Sequence, residues 1–138
     1  MKPEVLLDTG PLVALLNLND KHHSWSLRYF RELQPPLITC DAVLAEALYL
    51  LRKDAAAVPF IMGLIERGVI NSSFSVSNNA FAIKKLMTKY RDTPMDFADA
   101  CVVRMTELIG ACRVWTVDSD FQVYRRNGRA VIPLIFPD

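Results

Sequence analysis

Val5-Leu6-Leu7-Asp8-Thr9-Gly10-Pro11-Leu12 is the stretch whose reading decides the fold. Three consecutive apolar residues without polar alternation read as a short strand of the buried type. Gly10-Pro11 breaks that strand. Proline, with its fixed φ, suits the first turn of a helix, here expected to run through Leu16. A strand that turns directly into a helix is the opening half of a βα unit, and Asp8 stands at the turn.

The alternation recurs downstream. After the polar turn Asn17–Asp20, a helix capped by Asp20 or Ser24 is expected to run to about Leu33, where Pro35-Pro36 ends it. Leu37-Ile38-Thr39 reads as a second strand, and Asp41 is placed to cap the next helix, Asp41–Leu51. A helix from about Ala55 to Arg67 carries Pro59 in its first turn and stops at Gly68. A third strand is expected within Val69–Val76, then a helix from Ala80 to about Tyr90 capped by Ser77 or Asn78. Thr93-Pro94-Met95-Asp96 reads as a helix start, with threonine at the cap, proline first and the acid third. Gly110 stops that helix. Val114–Val117 is the fourth expected strand and Val131–Leu134 the fifth. Strands that alternate with helices imply a three-layer α/β/α domain over residues 1–138, around a central parallel sheet of four to five strands.

Composition narrows the function. The chain has 138 residues, 51% of them apolar and 22% charged, an ordinary globular balance. A net charge of +1 gives no global field able to hold a long polyanion, so any nucleic-acid contact rests on local basic groups and on metal. The three cysteines (Cys40, Cys101, Cys112) are odd in number and lack metal-ligand spacing. They read as small core residues of a reducing compartment. The first residues resemble neither a signal peptide nor a membrane anchor, so a cytoplasmic protein without membrane contact is expected. No glycine-rich phosphate loop or dinucleotide fingerprint occurs.

Four acids carry the chemical reading. Asp8 ends the first strand, Glu46 sits inside Val43–Leu51, Asp99 lies in Ala98-Asp99-Ala100-Cys101, and Asp118 ends Val114-Trp115-Thr116-Val117. Carboxylates are rarely buried unless paired or metal-bound. Ligands of open parallel sheets bind beyond the carboxyl ends of the strands, where Asp8 and Asp118 fall. The helices that bear Glu46 and Asp99 are able to reach the same edge. Crowded carboxylates are relieved by a hard cation such as Mg²⁺ or Mn²⁺, which points to metal-assisted hydrolysis of a phosphodiester. Each acid also has a structural reading. Asp8 fits a helix cap. Glu46 fits a surface ion pair with Arg52 or Lys53. Asp96, one turn before Asp99, fits an N-terminal helix acid, and Asp120 a turn residue. Adjacent His22 and His23 point to different helix faces and do not chelate one metal. Lys84, Lys85 and Lys89 form a solvated basic face, whereas Arg125 and Arg126 follow Asp118 closely enough to hold phosphates.

With these residues in hand, the chain resembles a PIN-domain nuclease of the VapC toxin type. The likeness rests on Leu6-Leu7-Asp8-Thr9-Gly10-Pro11-Leu12, Asp20-Lys21-His22-His23, the Glu46 helix, Met95-Asp96-Phe97-Ala98-Asp99-Ala100 and Thr116-Val117-Asp118-Ser119-Asp120-Phe121, in that order and spacing. The resemblance implies an endoribonuclease that uses Mg²⁺ or Mn²⁺, with Asp8, Glu46, Asp99 and Asp118 as its acidic quartet. Asp8, Asp99 and Asp118 would be the metal ligands, with Thr9, Asp96, Thr116 and Asp120 in supporting roles. RNA, an antitoxin protein and a second copy of the chain are the implied partners. The alternatives are a housekeeping RNA-processing nuclease and a nucleic-acid-binding module that does not cleave. Leu7-Asp8-Thr9-Gly10 also fits the triplet of aspartic proteases, but those are all-β dimers at this length and the helical periodicity here excludes them.

Overall fold

β1 (Glu4–Leu7) lies at the centre of a five-stranded, wholly parallel sheet. Its neighbours are β2 (Leu37–Ile38) and β4 (Cys112–Trp115). β3 (Ile70–Asn71) extends the sheet beyond β2, and β7 (Leu134–Ile135) extends it beyond β4. The computed structural model describes residues 2–138. Val5, Leu6 and Leu7 are all buried because the strand is covered on both faces. Leu6 packs into one apolar cluster, and Val5 with Leu7 into the other.

The helices form the outer layers. α1 (Thr9–Leu16), α2 (His23–Glu32) and α4 (Ala57–Glu66) cover the face that holds Leu7, Ile70 and Trp115. α5 (Val76–Lys89) and α6 (Phe97–Ile109) cover the face that holds Leu6 and Val114. α3 (Asp41–Leu50) serves both, with Val43 in one cluster and Leu44 and Ala47 in the other. Each fully buried Leu, Ile or Val contributes about 2 kcal/mol. A short antiparallel pair, β5 (Arg125–Arg126) with β6 (Ala130–Val131), closes the chain against α6. All three cysteines are free and buried. Among the described residues no helix is long and apolar enough to cross a membrane.

Several expected boundaries shift. α5 begins at Val76, capped by Ser75 through its hydroxyl to the Asn78 N–H, rather than at Ala80 after Ser77 or Asn78. A run of Ser and Asn offers many equivalent caps, and packing selects one. α6 starts at Phe97 with Asp96 as its cap, so Thr93 and Pro94 lie in the preceding turn. Cys40, not Asp41, precedes α3; the Asp41 carboxylate instead accepts from Ser72 Oγ at 2.7 Å. The expected Val114–Val117 strand ends at Trp115, and Val131–Leu134 divides between β6 and β7. α3 is not buried on every side, since Tyr49 and Leu50 are exposed.

The strand order β3-β2-β1-β4-β7 places the site. The chain builds outward from β1 in one direction and from β4 in the other. The point of reversal falls between β1 and β4, and such switch points form crevices at the carboxyl ends of parallel strands. Leu7 pairs with Trp115, so Asp8 and Thr116 leave the sheet side by side.

Candidate active site

Asp8 stands at the cap position of α1, yet its side chain makes no capping bond. Its Oδ2 instead accepts from the Thr116 hydroxyl at 2.7 Å. Thr116 Oγ1 in turn accepts from the Asp118 N–H at 2.9 Å, and Asp118 Oδ1 accepts from the Asp120 N–H at 2.9 Å. One chain of hydrogen bonds thus runs from the end of β1 through the exit of β4 into the short 3₁₀ helix Ser119–Gln122. On the other side, Thr39 donates to the Leu7 carbonyl at 2.8 Å and ties the exit of β2 to the same edge. Gly10 makes this junction possible. A Cβ there would meet Val117 Cγ2 at 2.3 Å, so only glycine lets the first turn of α1 lie against the loop that carries Thr116 and Asp118.

α6 delivers two further acids. Asp96 and Asp99 form a capping box in which Asp96 Oδ1 accepts from the Asp99 N–H at 2.8 Å, and Asp99 Oδ2 from the Asp96 N–H at 3.3 Å. Asp99 therefore belongs to the first turn of the helix, not beyond it as the Thr93 start implied. It is buried, whereas Asp96 is exposed. Glu46 on α3 is half-buried, and its expected alternative partner is engaged elsewhere: Arg52 lies over the Tyr49 ring and donates to the Tyr49 carbonyl.

The carboxyl groups sense one another. Burial pushes Asp8 up to about 6, with Asp118 and Glu46 adding to the rise against the Thr116 hydroxyl and Thr9 N–H. Burial pushes Asp99 up to about 8, reinforced by Asp96 and Asp8. Glu46 is raised by burial, opposed by the Thr9 hydroxyl and reinforced by Asp96 and Asp118. Asp118 is raised by burial, opposed by the Asp120 N–H and reinforced by Asp120 and Asp96. Asp8 and Asp96 each act on Glu46, Asp99 and Asp118.

No basic side chain among the described residues pairs with these acids. Among the described residues the ion pairs are Arg28–Glu32 and Arg104–Glu107, neither of them at the acids. Thr9 Oγ1 is buried without a hydrogen-bond partner at normal geometry. An all-oxygen donor set of carboxylates and hydroxyls, with no lysine or arginine, suits a hard divalent cation. Among the described residues no three carboxylate, imidazole or thiol groups stand at metal-holding spacing. The side chains match such an ion in chemistry, but not in spacing as they stand.

The two arginines following Asp118 are engaged with the backbone. Arg125 Nη1 donates to the carbonyls of Gln122, Val123 and Tyr124. Arg126 donates to the Thr106 carbonyl near the carboxyl end of α6, away from the acids at its amino end. His23 Nδ1 bonds the Ala14 carbonyl at 2.7 Å and joins α2 to α1. One residue escaped the sequence reading. Tyr124, fully buried, donates its hydroxyl to Asp99 Oδ2 at 3.1 Å. Its only local signal is its i, i+3 spacing from Phe121, which reads simply as core.

A parallel α/β domain with an acid-lined switch point is the arrangement of PIN domains. The PIN-domain family model matches residues 5–127, and the chain belongs to that family. Among solved structures, it is similar to VapC20 of Mycobacterium tuberculosis, described as a sarcin-ricin loop cleaving toxin. Identity is 21%, with 87% of this chain and 94% of that one covered, and the TM-score is 0.74. At that identity the likeness establishes the shared fold. No curated protein matches the chain.

Proposed function

We propose that the protein is a metal-dependent endoribonuclease that hydrolyses RNA phosphodiester bonds and acts as the toxin of a toxin–antitoxin pair. The observation that carries this reading is the convergence of acids at the switch point: Asp8 and Asp118 are linked through Thr116, Glu46 and Asp99 lie within electrostatic reach of Asp8, and among the described residues no ion pair neutralises them. Membership of the PIN family and the shared fold with a sarcin-ricin loop cleaving toxin support it.

In this reading Asp8, Asp99 and Asp118 hold Mg²⁺ or Mn²⁺. Bound there, the ion lowers the pKa of a coordinated water and neutralises charge on the phosphate. Thr116 fixes the Asp8 carboxylate, and the Asp120 N–H fixes that of Asp118. Glu46, half-buried, would in its ionised form accept a proton from the attacking water, and the rise that burial gives its carboxyl would make it the stronger base. Asp96 and Glu46 on the solvent side leave the rim open to a polymer. Exposed Tyr49, Leu50, Val58 and Met62 on α3 and α4 offer apolar surface to an antitoxin or a second copy. A non-cleaving module would have no need of the full acid set.

The test is cleavage of defined RNAs by purified protein with Mg²⁺, Mn²⁺ or EDTA, with the new ends sequenced. Discrete cuts that require the ion are expected. Cleavage that persists in EDTA would overturn the reading. An antitoxin gene beside this one would separate a toxin from a housekeeping nuclease.

A further inference from the structure

Asp99 Oδ2 receives two donors, the Tyr124 hydroxyl at 3.1 Å and the Asp96 N–H at 3.3 Å. Neither bond involves Oδ1, which leaves that oxygen as the one free to serve the site. The Tyr124 ring has no freedom to drift. It is 0% exposed and lies edge-on to both Tyr90 and Phe121, with centroids 5.2 Å away in each case. The alternative acceptor, the Pro94 carbonyl, is longer at 3.4 Å.

We infer that Tyr124 is a positioning residue for the acid centre: it pins one oxygen of Asp99 through a buried hydrogen bond and so fixes the orientation of the carboxylate that would hold the cation. This rests on the metal-dependent reading above. The partners that orient a ligand are able to change metal affinity about 10- to 100-fold without touching the ion. A buried tyrosine that merely satisfied its own hydroxyl would leave metal affinity unchanged.

Tyr90 supplies the control. It belongs to the same aromatic stack, but its hydroxyl accepts from the Arg125 N–H at 2.9 Å and does not touch Asp99. Mn²⁺ binding to the full chain, read by electron paramagnetic resonance without RNA, separates the outcomes. Tyr124→Phe is expected to weaken Mn²⁺ binding about 10-fold or more, while Tyr90→Phe binds as the parent does. Equal binding by Tyr124→Phe, or equal weakening by both variants, overturns the inference and leaves the nuclease reading standing. A parent protein that binds no Mn²⁺ sinks both. A second measurement holds even if Tyr124→Phe folds poorly. Added Mg²⁺ should perturb the tyrosine ultraviolet difference spectrum in the Tyr90→Phe protein, because the acceptor of the Tyr124 hydroxyl changes its charge environment. Absence of that perturbation overturns the inference.

Discussion

The two ends of α6 treat charge in opposite ways. Near the carboxyl end, Arg104 Nε donates to Asn79 Oδ1 at 2.9 Å, and its Nη1 meets Glu107 Oε1 at 3.3 Å. Glu107 Oε2 accepts from the Asn127 N–H at 2.7 Å, and Arg126 donates to the Thr106 carbonyl. Positive and negative groups there answer one another, and the network binds α5, α6 and the β5–β6 pair together. At the amino end, about 8–17 Å away along the helix axis at 1.5 Å per residue, Asp96 and Asp99 face Asp8, Glu46 and Asp118 with no ion pair to any of them among the described residues. Charge that is paired stabilises the fold. Charge that is buried and left unpaired works against it, and such a cluster marks a candidate functional site.

The largest expected effect falls at the acid end. Asp8→Asn keeps the shape of the side chain and deletes one negative charge. RNA cleavage should drop by at least about 100-fold, since loss of a ligand exceeds the effect of losing its supporting partner. RNA affinity at fixed salt should stay the same or tighten as repulsion of phosphate falls. Unchanged cleavage in a time course would dissolve the contrast between the two ends.

Arg104→Ala tests the opposite end. It strands Glu107 and Asn79 in a part-buried setting, with an expected loss of about 1–3 kcal/mol in urea unfolding. Mn²⁺ affinity should be untouched. Weakened Mn²⁺ binding would mean that the two ends are energetically one unit.

Gly10→Ala sharpens the comparison by steric means. The added methyl meets Val117 Cγ2 at 2.3 Å and must push the loop between Thr116 and Asp118. A cost of about 1–3 kcal/mol is expected, together with reduced cleavage. Val117→Ala in the same chain should restore most of both. Failure of that rescue would place the strain elsewhere.

The smallest effect is one of pH. In the fold Asp99 is pushed from 3.8 to about 8. Between those values the folded protein keeps a proton that the unfolded chain has released, so in EDTA this group's contribution to stability falls as pH rises from about 4 to about 8. Asp99→Asn removes the titration and still offers an oxygen to Tyr124. Its Tm should exceed that of the parent by a margin that widens across this window, read by scanning fluorimetry. A constant margin, or a variant less stable throughout, would assign Asp99 a structural role.

Local sequence was enough for the βα alternation, for β1 as a strand covered on both faces, and for singling out the acids as candidates. Each of these rests on short-range physics: an unbroken apolar run, a proline in a first turn, a carboxylate among apolar neighbours. Tertiary structure decided what each polar group does. Whether Asp8 caps α1 or turns to Thr116 depends on a partner 108 residues away, and the Tyr124 bond to Asp99 spans 25. Arg125 and Arg126, adjacent to the acids in sequence, turn their guanidinium groups onto backbone carbonyls. The caps of α5 and α6 were degenerate among neighbouring Ser, Asn, Thr and Asp. Periodicity records which face of an element is buried, but a hydrogen bond between distant side chains leaves no period in the sequence, so its partner is fixed only when the sheet brings the strand ends together.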